Sequence, residues 1–130
     1  MKQVTAAILI NDGLILIAKR NALDSLGERW EFPGGKVEDG ESPEECLERE
    51  MYEEFEIRVS IGEYLGESVY HYDHGWIRLL AYRACWESGD MVAKVHEDYQ
   101  WVSREELSNY IFAPADRIFV ERLINGEIKI

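Results

Sequence analysis

Between Glu38 and Glu56 the chain places ten acidic residues (38, 39, 41, 44, 45, 48, 50, 53, 54 and 56) against one base, Arg49, a local balance of −9 within a whole-chain net charge of −12. Ser42 is a strong helix N-cap, Pro43 suits the first helical position and Glu45 completes an S-x-x-E capping box, so the sequence predicts a helix from here to about Phe55. At ~100° per residue, Leu47, Met51 and Phe55 form an apolar stripe. Glu50, Glu53 and Glu54 read as a sector beside that stripe, with Cys46 among them, while Glu44, Glu45 and Glu48 turn towards water. The inner three are i, i+3 and i+4 neighbours, and no Lys or Arg stands at a spacing that would neutralise all of them. Two like charges ~5 Å apart at an effective dielectric of ~20 repel by about 3 kcal/mol. Left alone, one carboxylate would take up a proton. A hard divalent cation removes the conflict, and oxygen ligands suit Mg²⁺ or Mn²⁺.

The elements that must position this helix read as follows. Val4–Ile10 and Leu14–Arg20 are apolar runs joined by Asn-Asp-Gly, a hairpin signal. Residues 21–29 read as a loop, and "WEF" as a short strand ended by "PGG". Further strands are expected over Ile57–Tyr70, Trp76–Trp86 and "YQWVS", with "ESGD" as a turn. Two more helices are expected, one opened by Ser103 with "REEL" and one over Pro114–Asn125 stopped by Gly126. Strands and helices in this order imply an α/β (α+β) fold, a mixed sheet packed between helices, in a single domain over residues 1–130.

With 130 residues, 46% hydrophobic and 31% charged, the chain has the composition of a folded cytosolic protein. Cys46 and Cys85 have neither metal-ligand spacing nor disulfide density and read as reduced, buried thiols. No apolar run approaches ~20 residues and no signal-peptide pattern is present, so no membrane role is expected. The net charge of −12 disfavours a nucleic-acid polymer as partner. An anionic small molecule remains compatible if a divalent cation accompanies it.

Gly35, five residues, Glu41, seven residues, then "REMYEEFEI" from Arg49 to Ile57 resembles the Nudix box, G-x5-E-x7-R-E-U-x-E-E-x-G-U. Eight of the nine specified positions are met. Glu56 stands where the family has a glycine that ends the helix in a left-handed turn, at an expected cost of about 1 kcal/mol. The hairpin, "WEFPGGK", "YQWVS" and "FAPADRIFVERL" are similar to MutT-type members, so the resemblance covers nearly the whole chain. It implies a Nudix-type α/β/α sandwich and hydrolysis of a nucleoside diphosphate linked to another group, with Mg²⁺ ions as cofactor (Mn²⁺ as substitute).

Carried over residue by residue, the resemblance makes Glu50 and Glu54 the main metal ligands, Glu53 a further or water-mediated one, and the Gly34 carbonyl another. "PGG" agrees, since side-chain-free backbone lets a carbonyl approach an ion. Arg49 would hold Glu41 and Glu50. Glu53 and Glu97 are both candidates for the base that takes the proton of the attacking water, Glu53 first, and Glu97 is also a candidate ligand. His96 reads as structural. Arg20 would touch substrate, with Lys19 on the opposite face by strand alternation. Lys36 would contact phosphate or stay solvated. Phe32 and Asp116 align with the base pocket, although Asp116 also suits a helix N-terminus.

The reaction implied is that of a cytoplasmic nucleoside triphosphate pyrophosphatase, releasing monophosphate and pyrophosphate, with oxidised or modified nucleotides such as 8-oxo-dGTP, or cytidine nucleotides, as candidates. An ADP-ribose or nucleotide-sugar pyrophosphatase is the alternative within the class. A non-catalytic nucleotide sensor is the alternative outside it, and the full set of box glutamates argues against that. Monomer and homodimer are both compatible.

Overall fold

The computed structural model describes residues 1–23 and 26–130; Asp24 and Ser25, inside the segment read as a loop, lie outside the described residues. The first hairpin joins β1 (Lys2–Asn11) to β2 (Leu14–Lys19). Its two turn residues, Asp12 (φ 51°) and Gly13 (φ 78°), both take positive φ, which matches the twist of the flanking strands. The two strands pair only next to the turn, at Ile10↔Ile15 and Asn11↔Leu14. Farther on they part. The far end of β2 pairs with the short β3 (Trp30–Glu31), and the edge of β1 takes up the segment after β3, Ala7 N donating to Pro33 O (2.7 Å) and Thr5 N to Gly35 O (2.8 Å). The Gly34-Gly35 pair is thereby inserted beside the central strand.

Helix α1 (Pro43–Phe55) follows, then the long antiparallel pair β4 (Arg58–Tyr72) and β5 (Gly75–Ser88). β5 runs parallel to β1, from Lys2↔Ile77 to Leu9↔Ala84, which makes the sheet mixed. β6 (Asp98–Val102) covers the other edge of β2, and the strand order is β3-β2-β1-β5-β4 with β6 on β2. Because β1 and β2 are buried on both faces, their sequences are unbroken apolar runs. Ala7, Leu9, Leu16 and Ala18 meet Leu47, Met51 and Phe55 of α1 on one face. Ala6, Ile8, Ile15 and Ile17 face the other way, towards Leu107, Phe119, Val120 and Leu123. The expected sandwich of helix, mixed sheet and helix is observed.

α1 begins and ends as its residues require. Ser42 Oγ accepts from Glu45 N (3.1 Å) and Glu45 Oε1 from Ser42 N (2.9 Å), a complete capping box. Glu56, in the family's glycine position, adopts the left-handed conformation itself (φ 59°, ψ 28°), and the helix still stops at Phe55. The segment of residues 91–97 then straps across this end. Val92 N donates to Phe55 O and Lys94 N to Glu54 O (both 3.0 Å), satisfying carbonyls that a helix end leaves orphaned, and Lys94 Nζ reaches Glu56 Oε2 (3.2 Å).

Three expectations are corrected. The "REEL" segment forms only a 3₁₀ helix, Glu105–Asn109, because the chain must turn back for Ile111 O and Ala113 N to bond Trp30. The last helix is divided into a 3₁₀ turn, Pro114–Asp116, and α2, Arg117–Ile124. Cys46 is buried but Cys85 is exposed, since it lies on the face of β5 whose core residues end at Ala81.

Candidate active site

A cavity of about 390 Å³ opens where β1 and β2 part; its wall includes Glu31, Phe32, Gly34, Glu54, His96 and Asp116, and Arg20 and Lys36 also line it. Gly34 is required sterically, whereas a side chain at Gly35 would displace the end of Glu50. A Cβ on Gly34 would lie 2.0 Å from Thr5 O, and one on Gly35 would lie 2.6 Å from both carboxylate oxygens of Glu50. The Pro33 and Gly35 carbonyls are bonded to β1, so backbone alternation turns the Gly34 carbonyl the opposite way. Buried Thr5 supports the turn through its hydroxyl, 3.1 Å from Gly35 O and 3.3 Å from Cys46 Sγ.

Arg49 organises the carboxylates around α1. It grips Glu41 with two bonds (Nε–Oε2 2.7 Å, Nη2–Oε1 3.0 Å), and its Nη1 donates to Glu50 (2.8 Å) and Glu53 (3.1 Å). Hydrogen bonding from Arg49 holds Glu41 down to about 2, and the same partners raise the Arg49 pKa further above its ordinary value. Burial pushes the Cys46 thiol up to about 11, so it is an inert neighbour rather than a nucleophile.

The three glutamates read together from the sequence are not equivalent. Glu54 is buried, Glu50 is largely covered and Glu53 is 57% exposed. At ~100° per residue Glu53 stands about 160° from the centre of the Leu47–Met51–Phe55 stripe, which puts it on the outer face. Among the described residues no three His, Cys, Asp or Glu side chains converge as a ready-made metal cage. Glu50 and Glu53 instead bend to Arg49. Burial first, then the neighbouring carboxylates of Glu50 and Glu31, push Glu54 well above the usual carboxylate range. Its Oε1 has no hydrogen-bond partner. A buried, unpartnered carboxylate oxygen beside a second carboxylate, in a cavity that Gly34 also lines, is an oxygen-rich surrounding that fits a hard divalent cation.

At the other end of the cavity, Asp116 is buried and accepts a hydrogen bond from Phe32 N at 3.0 Å. It does not cap α2. Burial and the Glu31 charge raise its pKa well above the ordinary value. The Phe32 ring packs on Phe112 with centroids 5.4 Å apart.

Two members of this wall were not placed in the site from the sequence, Glu31 having no assigned role and His96 reading as structural. Glu31 takes Arg20 Nη1 at 2.5 Å on one oxygen and lies 2.8 Å from His96 Nε2 on the other. His96 stacks on Phe55, 5.3 Å between centroids and 9° between planes, with Nδ1 3.7 Å from Glu54 Oε1. The only signal for Glu31 is a charge set between two aromatics in "WEF". Glu97, proposed from the sequence for this site, is placed outside the cavity wall, paired with Lys19 at 3.3 Å.

The NUDIX domain model matches residues 1–123, and the chain belongs to the Nudix hydrolase family. It is 40% identical over 116 residues to the CTP pyrophosphohydrolase of Escherichia coli (strain K12), covering 89% of this chain and 86% of that one. A putative 8-oxo-dGTP diphosphatase 2 of Mycobacterium tuberculosis is 33% identical over 129 residues, 95% of this chain and 90% of the relative. The crystal structure of a MutT protein from Methanosarcina mazei Go1 superposes with a TM-score of 0.87, with 25% identity over 98% of this chain and 96% of that one.

Proposed function

We propose that this chain is a cytoplasmic, single-domain, Mg²⁺-dependent nucleoside triphosphate pyrophosphatase that releases a nucleoside monophosphate and pyrophosphate. The observation that carries the reading is the buried Glu54 carboxylate, with its unpartnered Oε1, in the wall of a cavity that Arg20, Lys36 and Asp116 also line. The names of the two relatives, a CTP pyrophosphohydrolase and an 8-oxo-dGTP diphosphatase, support nucleoside triphosphates as the substrate class. No helix among the described residues is long and apolar enough to cross a membrane.

In this reading Glu50, Glu54 and the Gly34 carbonyl hold the cation, with Glu53 as a further ligand. Mg²⁺ would supply charge neutralisation at the phosphates and acidify water for attack on phosphorus. Arg49 keeps Glu41 and Glu50 in place through the bonds described above. Lys36 and Arg20 add positive charge for phosphate, Arg20 sharing its guanidinium with Glu31. Phe32 and Asp116 receive the base. Glu53 is the first candidate to take the proton of the attacking water and Glu97 the second, and each would have to leave a cation, Arg49 for Glu53 and Lys19 for Glu97.

A nucleotide panel with pyrophosphate release as readout tests the reading. Triphosphates should be cleaved only with Mg²⁺ or Mn²⁺, and Glu54→Gln should lower turnover at least ~100-fold while the protein stays folded. Near-wild-type activity in that variant would exclude the metal role of Glu54. Preference for ADP-ribose or a nucleotide sugar would move the chain to another branch of the family.

A further inference from the structure

We propose that His96 is a positioning residue, a rigid spacer that holds Glu31 for the nucleotide pocket with one ring nitrogen and, by standing between the two carboxylates, keeps Glu54 turned towards the cation. The proposal rests on the metal reading of Glu54 given above.

The ring has little freedom. It is only 5% exposed, lies parallel to the fully buried Phe55 ring, and belongs to the 91–97 strap, which is bonded to the end of α1. Its two nitrogens therefore occupy fixed positions. Nε2 lies 2.8 Å from Glu31 Oε2, a hydrogen bond between ring and carboxyl group. Nδ1 faces Glu54 Oε1 at 3.7 Å, and neither atom has a hydrogen-bond partner. Without the ring, two carboxylates would face one another across a poorly solvated gap, and each would turn away from its task. Glu31 in turn holds Arg20. A chain of contacts thus runs from the helix that carries the metal carboxylates, through His96, to the charged side of the nucleotide pocket. Partners that orient metal-ligating carboxylates generally change metal affinity or activity 10- to 100-fold when removed.

Two amide substitutions separate the halves. His96→Asn keeps a polar group where Nδ1 stands but cannot reach Glu31. His96→Gln reaches the Nε2 position but leaves the Glu54 side empty. The readouts are binding of Mn²⁺ alone, followed by the paramagnetic signal of the free ion, and KM for the preferred triphosphate of the panel at saturating Mg²⁺. His96→Gln should weaken Mn²⁺ about 10-fold and leave KM near wild type. His96→Asn should bind Mn²⁺ within about 3-fold of wild type and raise KM about 5- to 10-fold. A residue that only fills space would give equal losses in both readouts for both variants, and that result overturns the proposal, as does wild-type Mn²⁺ affinity in His96→Gln. Should either variant fail to fold, Glu31→Gln, which leaves the ring in place, should raise KM without altering Mn²⁺ affinity; a loss of Mn²⁺ affinity there would also overturn it. A wild-type protein that binds no Mn²⁺ alone removes this proposal, and the Mg²⁺ requirement in the nucleotide panel then decides the metal reading separately.

Discussion

Asp116 is held in a place that opposes its own ionisation. Its pKa in the fold lies above the ordinary 3.8, so the folded protein keeps a proton that the unfolded chain releases. The stability linked to that proton is fully present below about pH 3.8 and is lost as pH rises through the folded value. Asp116→Asn keeps an oxygen for the Phe32 N–H and removes the charge. We expect its Tm to exceed wild type near pH 8 and to converge with it near pH 4, as measured by thermal melts across that range. Discrimination among triphosphates should fall in the same variant, about 10- to 100-fold in kcat/KM for the preferred one, because the base edge meets an amide instead of a carboxyl group. A Tm difference that is independent of pH would show that the carboxyl is not strained by burial. At this scale, what could be read in the sequence was whatever local spacing determines. Arg49, Glu41 and Glu50 lie within a turn of the helix or at its entrance, and they meet as expected. Glu53 was misplaced because a sector drawn too widely on the helix took in its outer face. Glu31 and His96 acquire their significance only from each other, across sixty-five positions of chain, and no local pattern carries that.

Among the elements, the end of α1 joins the departure from the family box to the strap that crosses it. A left-handed non-glycine residue costs roughly 1–2 kcal/mol, and the exposed Lys94–Glu56 pair returns at most about 1 kcal/mol. Glu56→Gly should therefore leave the protein unchanged or stabilise it by up to about 1 kcal/mol, read from denaturant midpoints at constant m-value. A loss of more than about 1 kcal/mol would mean that the Lys94 contact fastens the strap more strongly than its exposure suggests. The start of this helix was legible down to its capping box, and so were the hairpin and the long strands. The "REEL" helix was not, because its length is set by the return of the chain to Trp30 rather than by its own residues.

For the whole molecule, a net charge of −12 with a buried, proton-seeking glutamate favours binding of a small cation. An ion that binds only the folded state stabilises it by RT ln(1 + [L]/Kd), about 1.4 kcal/mol at tenfold excess over Kd, or roughly 3–6 °C in a chain of this size. Millimolar Mg²⁺ should raise Tm by that order, and Glu50→Gln should reduce the gain. An unchanged Tm would indicate that the ion arrives only with the nucleotide. The sheet arrangement has a consequence of another kind. β1 finds its parallel partner only when β5 has been made, since Lys2 pairs with Ile77 and Leu9 with Ala84. At about 5–20 residues per second on the ribosome, the β1–β2 hairpin waits several seconds with both apolar faces uncovered. An isolated hairpin is barely stable in water. During translation the most buried strands of the finished enzyme are therefore its most vulnerable segment, and chaperone demand should peak before residue 84 leaves the exit tunnel.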